Sequence, residues 1–439
     1  MGLGNVGSFI AHALRGLTNP PPVTLIFSRR DRLNEWIESP KRLTLITEGD
    51  AESLEGFDAE IAIPRQRYHG KEVGTDAIGD LHMSDRAGAR KPQTSQADFI
   101  ESSEPISSLI MCSKASYVLQ TLSAVKHRLS KDSTILFLQN GMGTIDEVNR
   151  EIFPDPAVRP HYMLGINSHG VHSSPDGLFA TVHAGFGTIA LGILPHERDR
   201  NPASPHLSDA RSDAISQLPS HRSRSEDMNA ESPPSLTSKF PWTTTQRYLL
   251  RTLLRAPVLG AAAYSPPNLL QLQLDKLAVN CIVNPLTVVL DARNGAILNN
   301  YALTRTMRLL LAEISLVIRS LPELQYIPNV QQRFDPGRLE TIVVSVAHKT
   351  ANNISSMLAD TRSGQQTEID YINGWIVKRG EELGVRCLMN YMLVQMVKGK
   401  TQVVQRELSE GVAFVEDKQP RRDDDVIIKT GQAEKDPKL

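Results

Sequence analysis

The clearest chemistry lies in one stretch, Asp275-Lys276-Leu277-Ala278-Val279-Asn280-Cys281-Ile282-Val283-Asn284-Pro285-Leu286-Thr287. Lys276, Asn280 and Asn284 recur every four residues, which on a helix puts them on one face. Their neighbours are mostly Leu, Ala, Val, Cys and Ile, and polar groups in such surroundings need partners or a function. A lysine there can act as a proton donor, best when partly desolvated. A solvent-facing stripe is the ordinary alternative, but surface helices favour Glu and Lys over Asn. Pro285 is expected to perturb the helix beside Asn284. Two further sets have the same character. Asn353 and Ser356 stand three apart in Asn352-Asn353-Ile354-Ser355-Ser356. Glu368 opens an apolar-periodic segment, either as a carboxylate near the lysine or as a first-turn charge offsetting the helix dipole.

A second constellation opens the chain: Met1-Gly2-Leu3-Gly4-Asn5-Val6-Gly7. Gly2, Gly4 and Gly7 have the G-x-G-x-x-G spacing that allows a tight bend, close approach of backbone to a pyrophosphate, and close helix packing. Phe9, Ile10, Ala13 and Leu14 then recur at helical spacing. The apolar run 23–27 ends where a dinucleotide site reads the ribose, and Ser28, Arg29 and Arg30 follow it. An NAD site would carry Asp or Glu there; arginine suits a 2′-phosphate, so NADP(H) is the expected cofactor. Lys114 and Asn140 directly follow the strand-like runs 109–112 and 135–138. Ligands of open α/β sheets bind at such carboxyl ends.

These residues need a scaffold that alternates and then changes character. Short apolar runs at 23–27, 109–112 and 135–138, with a helical pattern over 115–129, predict an α/β layer with a parallel sheet. Strands resume near 162–164, 181–182 and 188–191. From 240 onward, helices are predicted over 246–254, 269–289, 303–318, 338–358 and 368–383, the last stopped by Gly384. The expected organisation is therefore a nucleotide-binding α/β domain over 1–195, with a polar insertion at 64–104. A disordered insertion at 196–239 follows, then a helical substrate and catalytic domain over 240–410 and a charged tail over 411–439.

Composition narrows the class. The 439 residues carry 48 Lys and Arg against 49 Asp and Glu, a net charge of −1. That balance argues against a nucleic-acid protein with a global basic field. No apolar run is long enough to span a membrane. Cys112, Cys281 and Cys387 are far apart and read as reduced core residues rather than a disulfide or metal framework. The histidines have no ligand spacing, so no metal is expected. His169 and His183 read as structural or loop residues.

The chain resembles the ketopantoate reductases (2-dehydropantoate 2-reductases), of the fungal type with insertions. The resemblance rests on GLGNVG at 2–7, NGMGT at 140–144, KLAVNCIVNPLT at 276–287, Arg293-Asn294-Gly295, NISSML at 353–358 and TEIDYINGW at 367–375. It implies an NADPH-dependent reduction of a 2-keto acid in pantothenate biosynthesis. Lys276 would be the general acid, with Glu368 holding the lysine and substrate. Asn280, Asn284, Asn294, Asn353 and Ser356 would bind substrate. Gly2 to Gly7, Arg29 and Lys114 would hold the cofactor, and Asn140 would bridge the two ligands. A reductase of another 2-keto acid and a non-catalytic nucleotide-binding homologue are the alternatives. A small-molecule substrate, no nucleic acid and no membrane are expected. A homodimer and either a cytoplasmic or a mitochondrial location are compatible. Such a domain has a central strand ahead of its glycine turn. The sequence opens at Met1-Gly2, so the flanking strands are expected to lack ladder partners there and the fold to be weakened.

Overall fold

The computed structural model describes residues 1–63, 67–68, 71–72, 102–175, 177–199 and 242–410. The expected insertions, apart from 67–68, 71–72, 102–104 and 196–199, and the tail lie outside the described residues. The N-terminal part is α/β and the C-terminal part is helical, as the patterning predicts.

Helix α1 (Asn5–Arg15) follows Met1–Gly4 and buries Phe9, Ile10, Ala13 and Leu14. Strand β1 (Thr24–Phe27) and helix α2 (Arg30–Glu38) come next. Strands β2 (Leu43–Thr47) and β3 (Asp50–Leu54) form a hairpin turned by Glu48 and Gly49, both at positive φ. Strand β4 (Asp58–Ile61) pairs in parallel with β1. Strands β5 (Ser108–Met111), β6 (Thr134–Phe137) and β7 (His161–Asn167) form a parallel core, with α3 (Val118–Val125) between the first two and α4 (Thr144–Glu151) between the last two. Strands β8 (Gly170–Ser173) and β9 (Ala180–Gly185) extend the β2–β3 hairpin into a four-stranded sheet. Strand β10 (Ile189–Ile193) runs antiparallel to β7.

The parallel layer is interrupted between β1 and β5. There, among the described residues, β1 pairs only with β4, and β5 only with β6, apart from one residue. The Met1 nitrogen donates to the Ile110 carbonyl (2.7 Å), and the Met1 carbonyl accepts from the Cys112 N–H (2.8 Å), one rung of a parallel ladder. A groove of about 540 Å³ continues from that rung, with Ile10, Leu14, Leu25, Leu109 and Leu249 in its walls. Burial of the Met1 ammonium lowers its pKa.

Helix α5 (Thr244–Leu254), opened by a Thr243–Gln246 capping box, packs Leu249, Leu250 and Leu253 into the α/β core beside Phe9, Ile10 and Leu136. A short strand, Ala261–Ala263, pairs in parallel with β10, so the helical part begins with α6 (Pro266–Leu290) and not at 240 as expected. Around α6 pack α7 (Tyr301–Arg319), α8 (Pro336–Lys349), α9 (Ser356–Arg362), α10 (Asn373–Glu382) and α11 (Leu388–Ser409). Three further expectations are corrected here. Pro285 does not interrupt α6, which runs through it. The Cys281 carbonyl, deprived of its helical donor by Pro285, accepts instead from the buried Asn373 amide at 2.9 Å. The helix expected over 338–358 is two helices. Residues 350–353, Thr-Ala-Asn-Asn, leave the helical path, and Ser355 caps α9 by accepting from the Leu358 N–H. The helix expected from Glu368 begins at Asn373, after a 3₁₀ turn at Ile369–Tyr371. The 22-residue α11 was not expected. Glu313 accepts from the Met389 and Asn390 N–H groups and so satisfies its N-terminal donors.

Candidate active site

The glycine turn has the shape its spacing implies. Gly2 has φ +84°, and a Cβ there would meet the Ser113 nitrogen at 2.4 Å. A Cβ on Gly7 would meet the Gly2 carbonyl oxygen at 2.4 Å. A Cβ on Gly4 would meet nothing within 4 Å. Two glycines therefore serve close packing, and the third faces open space at the start of α1. That helix begins with no side-chain cap and no acidic residue in its first turn. Its N-terminal amides and dipole can receive an anion. Leu3, Asn5 and Val6 lie on this turn, and the Asn5 side chain accepts from the Ser173 hydroxyl. Arg29 stands directly before α2, its side chain 64% exposed and only 3.6 Å from Asp31.

Lys276 is positioned by α6 against two loops of the α/β part. Its Nζ donates to the Asn140 side-chain oxygen at 2.8 Å and to the Asn167 main-chain carbonyl at 2.7 Å. The Asn140 amide donates in turn to a Glu368 oxygen at 3.1 Å, and the other Glu368 oxygen accepts from the Ala115 N–H at 2.9 Å. An ammonium on one side and a carboxylate on the other leave the Asn140 amide a single consistent orientation. Glu368 therefore acts on Lys276 through Asn140, not by direct contact. Burial lowers the Lys276 pKa to about 8, against an upward pull from Glu368. Burial raises the Glu368 pKa, opposed by its bonds from Ala115 and Asn140.

Asn140 needs a shaped loop. It follows β6, and Gly141 and Gly143 both have positive φ. A Cβ on Gly141 would strike the Tyr371 carbonyl at 2.4 Å, and that carbonyl accepts from the Met142 N–H. Trp375 packs on Gly143. Sequence reading missed Asn167, Tyr371 and Trp375. Asn167 acts through its backbone, which leaves no residue-type signal. The other two lie within the TEIDYINGW stretch.

The remaining candidates divide into two groups. Asn280 lies one turn beyond Lys276 and borders a small cavity of about 20 Å³ with Asn140, Gly165 and Lys276. Asn284 is buried a further turn along, so the three span about 12 Å of helix. At that far end, Thr287 and Ser355 share a hydrogen bond of 2.7 Å, which brings the Asn353 and Ser356 segment onto α6. Asn353 and Ser356 are exposed. Asn294 is buried and its amide donates to the Thr350 hydroxyl, a structural commitment. Lys114 faces the helical part, ion-paired with Asp360 at 2.8 Å and hydrogen-bonded to Gln365 at 2.7 Å. Among the described residues no cluster of three or more His, Cys, Asp or Glu could hold a metal.

A family model described as Ketopantoate reductase PanE/ApbA matches residues 61–196, and Ketopantoate reductase PanE/ApbA C terminal matches residues 268–401. Together they take in more than half of the chain. The chain belongs to the ketopantoate reductase family. It is 27% identical over 299 residues to a protein of Schizosaccharomyces pombe named as a probable 2-dehydropantoate 2-reductase, across 68% of this chain and 75% of that one. The 2-dehydropantoate 2-reductase of Saccharomyces cerevisiae is 25% identical over 300 residues, 65% of this chain and 70% of that one. The fold matches the solved structure of a Bacillus subtilis protein titled as a probable 2-dehydropantoate 2-reductase. It has TM-score 0.54 and 21% identity, and covers 91% of this chain and 98% of that one. D-mandelate dehydrogenase with NADH and anilino(oxo)acetate matches with TM-score 0.56 and 16% identity, covering 92% and 97%.

Proposed function

We propose that the protein reduces 2-dehydropantoate to (R)-pantoate with NADPH, in pantothenate biosynthesis, with Lys276 as general acid. The observation that carries this reading is the Lys276 ammonium. Two of its three N–H bonds are spent on Asn140 and Asn167, so the third is left for one further acceptor. A ketone oxygen in that place would receive a donor aimed where negative charge develops. A pKa near 8 keeps the group protonated at neutral pH yet ready to give the proton up.

The glycine turn fits a dinucleotide. Gly4 leaves room for a pyrophosphate, and the uncapped start of α1 supplies donors. The bound nicotinamide would supply the hydride to the carbonyl carbon. The chain's own part is the proton, which passes from Lys276 to the ketone oxygen and is replaced from solvent. Asn140 and Glu368 keep the lysine aimed. Asn280 and Asn284 bind the substrate's carboxylate and hydroxyl, and Asn353 and Ser356 close over its far end; Asn294 supports that segment. Arg29 reads the 2′-phosphate. Lys114 reaches the cofactor by exchanging Asp360 for it. The cavity of about 20 Å³ beside Lys276 has room for about one water and not for a keto acid. In this reading the substrate enters as the two parts separate at contacts such as Lys114–Asp360.

The test is NADPH oxidation followed with 2-dehydropantoate, and in parallel with a branched aliphatic and an aryl 2-keto acid. The reading holds if 2-dehydropantoate has the highest kcat/KM. Preference for another keto acid moves the assignment to that substrate, and no turnover with any of them marks a non-catalytic homologue.

A further inference from the structure

The Asn167 carbonyl is half of what holds Lys276, and it belongs to a turn between two strands. Asn167 ends β7, and Gly170 begins β8. The turn is clamped from one side by Gly187, whose added Cβ would lie 2.5 Å from the Ser168 carbonyl group and 2.6 Å from the His169 nitrogen. The His169 ring braces the same turn. Its Nε2 is 2.9 Å from the Leu259 carbonyl, which can only accept, so Nε2 carries the hydrogen. Its Nδ1 is then a bare acceptor. It takes the Gly187 N–H at 3.1 Å and lies 3.0 Å from His183 Nε2, which must donate. The His169 N–H itself donates to the Asn167 side chain at 3.1 Å. Both rings are buried and pack on Phe9 of α1 at 4.9 Å.

We infer that His169 is a positioning residue: with Gly187 it fixes the turn that aims the Asn167 carbonyl at the Lys276 ammonium. This rests on the reading of Lys276 as the acid. The charged groups around the Lys276 Nζ are few. Glu368 faces it through Asn140, with Lys114 and Asp360 beyond. His169 and His183 lie behind the Asn167 turn. On its own helix, Asp275 is paired with Arg333 and Arg338. Loosening the carbonyl removes an acceptor that favours the charged lysine, so the Lys276 pKa falls.

The experiment compares His169→Phe, His169→Asn and Gly187→Ala. His169→Asn keeps an acceptor near the Nδ1 position; Gly187→Ala pushes directly on the Ser168–His169 backbone of the turn. For His169→Phe we expect kcat to fall by about 10- to 100-fold, the usual cost of a slightly misplaced group, with the KM for NADPH within a factor of about two. The alkaline limb of the pH profile should move to lower pH in His169→Phe and Gly187→Ala, and stay near the wild-type position in His169→Asn. The Lys276 titration is also followed directly by NMR of lysine-labelled protein without substrate. A lowered pKa in Gly187→Ala supports the inference even if His169→Phe does not fold. An unmoved pKa in Gly187→Ala, or in a folded His169→Phe, overturns it. Because the NMR titration needs no turnover, it decides the inference even if wild-type protein fails to reduce 2-dehydropantoate, which would overturn the assigned reaction instead.

Discussion

The lysine end and the glycine end of the site are built in opposite ways. Around Lys276, a helix, two loops and a segment preceding a 3₁₀ turn converge, and every polar atom named has a partner within 3.1 Å. Around the glycine turn, Arg29 projects into solvent, the α1 start is uncapped, and the parallel layer beside it is split by a groove. A proton donor must hold one geometry to a fraction of an ångström. A cofactor-reading surface can wait for its ligand to supply the missing contacts. Strength of pre-organisation thus follows the chemistry asked of each end.

The sharpest way to break that contrast is to remove the lysine. Lys276→Ala should lower kcat by about 10²–10⁴, the usual worth of a positioned acid, with little change in the KM for NADPH. Steady-state rates with both substrates varied check this, and a kcat near wild type would end the assignment. The same burial has a stability cost. The Lys276 pKa falls from 10.5 to about 8 on folding. Between those values the unfolded chain holds more protons, so this group's contribution makes stability rise with pH across that window and is most unfavourable below pH 8. At about 1.4 kcal/mol for each pH unit the penalty is of order 3 kcal/mol, set against about 1–3 kcal/mol for each acceptor left bare. Two acceptors are bared, so the two effects are of similar size, and Lys276→Met should be inactive with a Tm at pH 7 close to that of the wild type.

Asn140 tests the relay. Asn140→Ala leaves Glu368 and Lys276 without the amide between them, and kcat should fall by about 10- to 100-fold. If Lys276 is the acid, activity needs the ammonium, and the wild-type kcat/KM should decline as pH rises through about 8. With one acceptor gone the decline should begin at lower pH in the variant, and matching pH profiles would remove Asn140 from the relay.

What the sequence made legible follows the same division. Lys276, Asn280 and Asn284 were readable because polar residues at a four-residue spacing broke an apolar run. The glycine turn was readable because three glycines stood where backbone must pass close to backbone. The Asn167 carbonyl was not, since main-chain atoms carry no residue-type signature. Helix α11 was missed although Leu388, Met389, Met392, Leu393, Met396 and Val397 recur at helical spacing; only part of that apolar surface is buried, with Leu393, Val394, Val397 and Val404 inside and Leu388, Met392, Met396 and Val403 exposed. The β2–β3 hairpin was missed although Glu48-Gly49 between alternating strands is a turn signal. Pro285 misled because the partner that compensates for it, Asn373, lies 88 positions away from it in the chain and only the fold brings them together.

The groove offers a third test, of stability rather than rate. The Met1 nitrogen already makes a strand-like bond to the Ile110 carbonyl, but as an ammonium that burial disfavours. Five β-branched residues placed ahead of Met1 would turn it into an amide with the same bond and no charge, and would lay an apolar strand along β5. A buried parallel strand reads as a continuous apolar run, and two side chains newly buried contribute about 3–6 kcal/mol. At about 2–4 °C for each kcal/mol, Tm should rise by roughly 10 °C, read by calorimetry. A Tm that stays put, or rises equally with five glycines and serines, would mean that the groove does not accept a strand.

Arg29 should give the smallest effect, and it probes the open end. Its side chain is 64% exposed and its ion pair with Asp31 is long at 3.6 Å, so removing it costs the free protein little. Exposed ion pairs contribute about 0–1 kcal/mol. With a 2′-phosphate bound, a charge-assisted bond worth about 1.5–3 kcal/mol would be lost. Arg29→Ala should therefore raise the Kd for NADPH by roughly 10-fold or somewhat more, leave the Kd for NADH nearly unchanged, and leave Tm without cofactor within error. Raised salt should shrink the difference between the two cofactors, since the contact is solvent-exposed. Isothermal titration with both cofactors measures it. Equal weakening of both would place Arg29 on the shared part of the dinucleotide, and no weakening of either would pass the 2′-phosphate to Arg30 or to another residue near the end of β1.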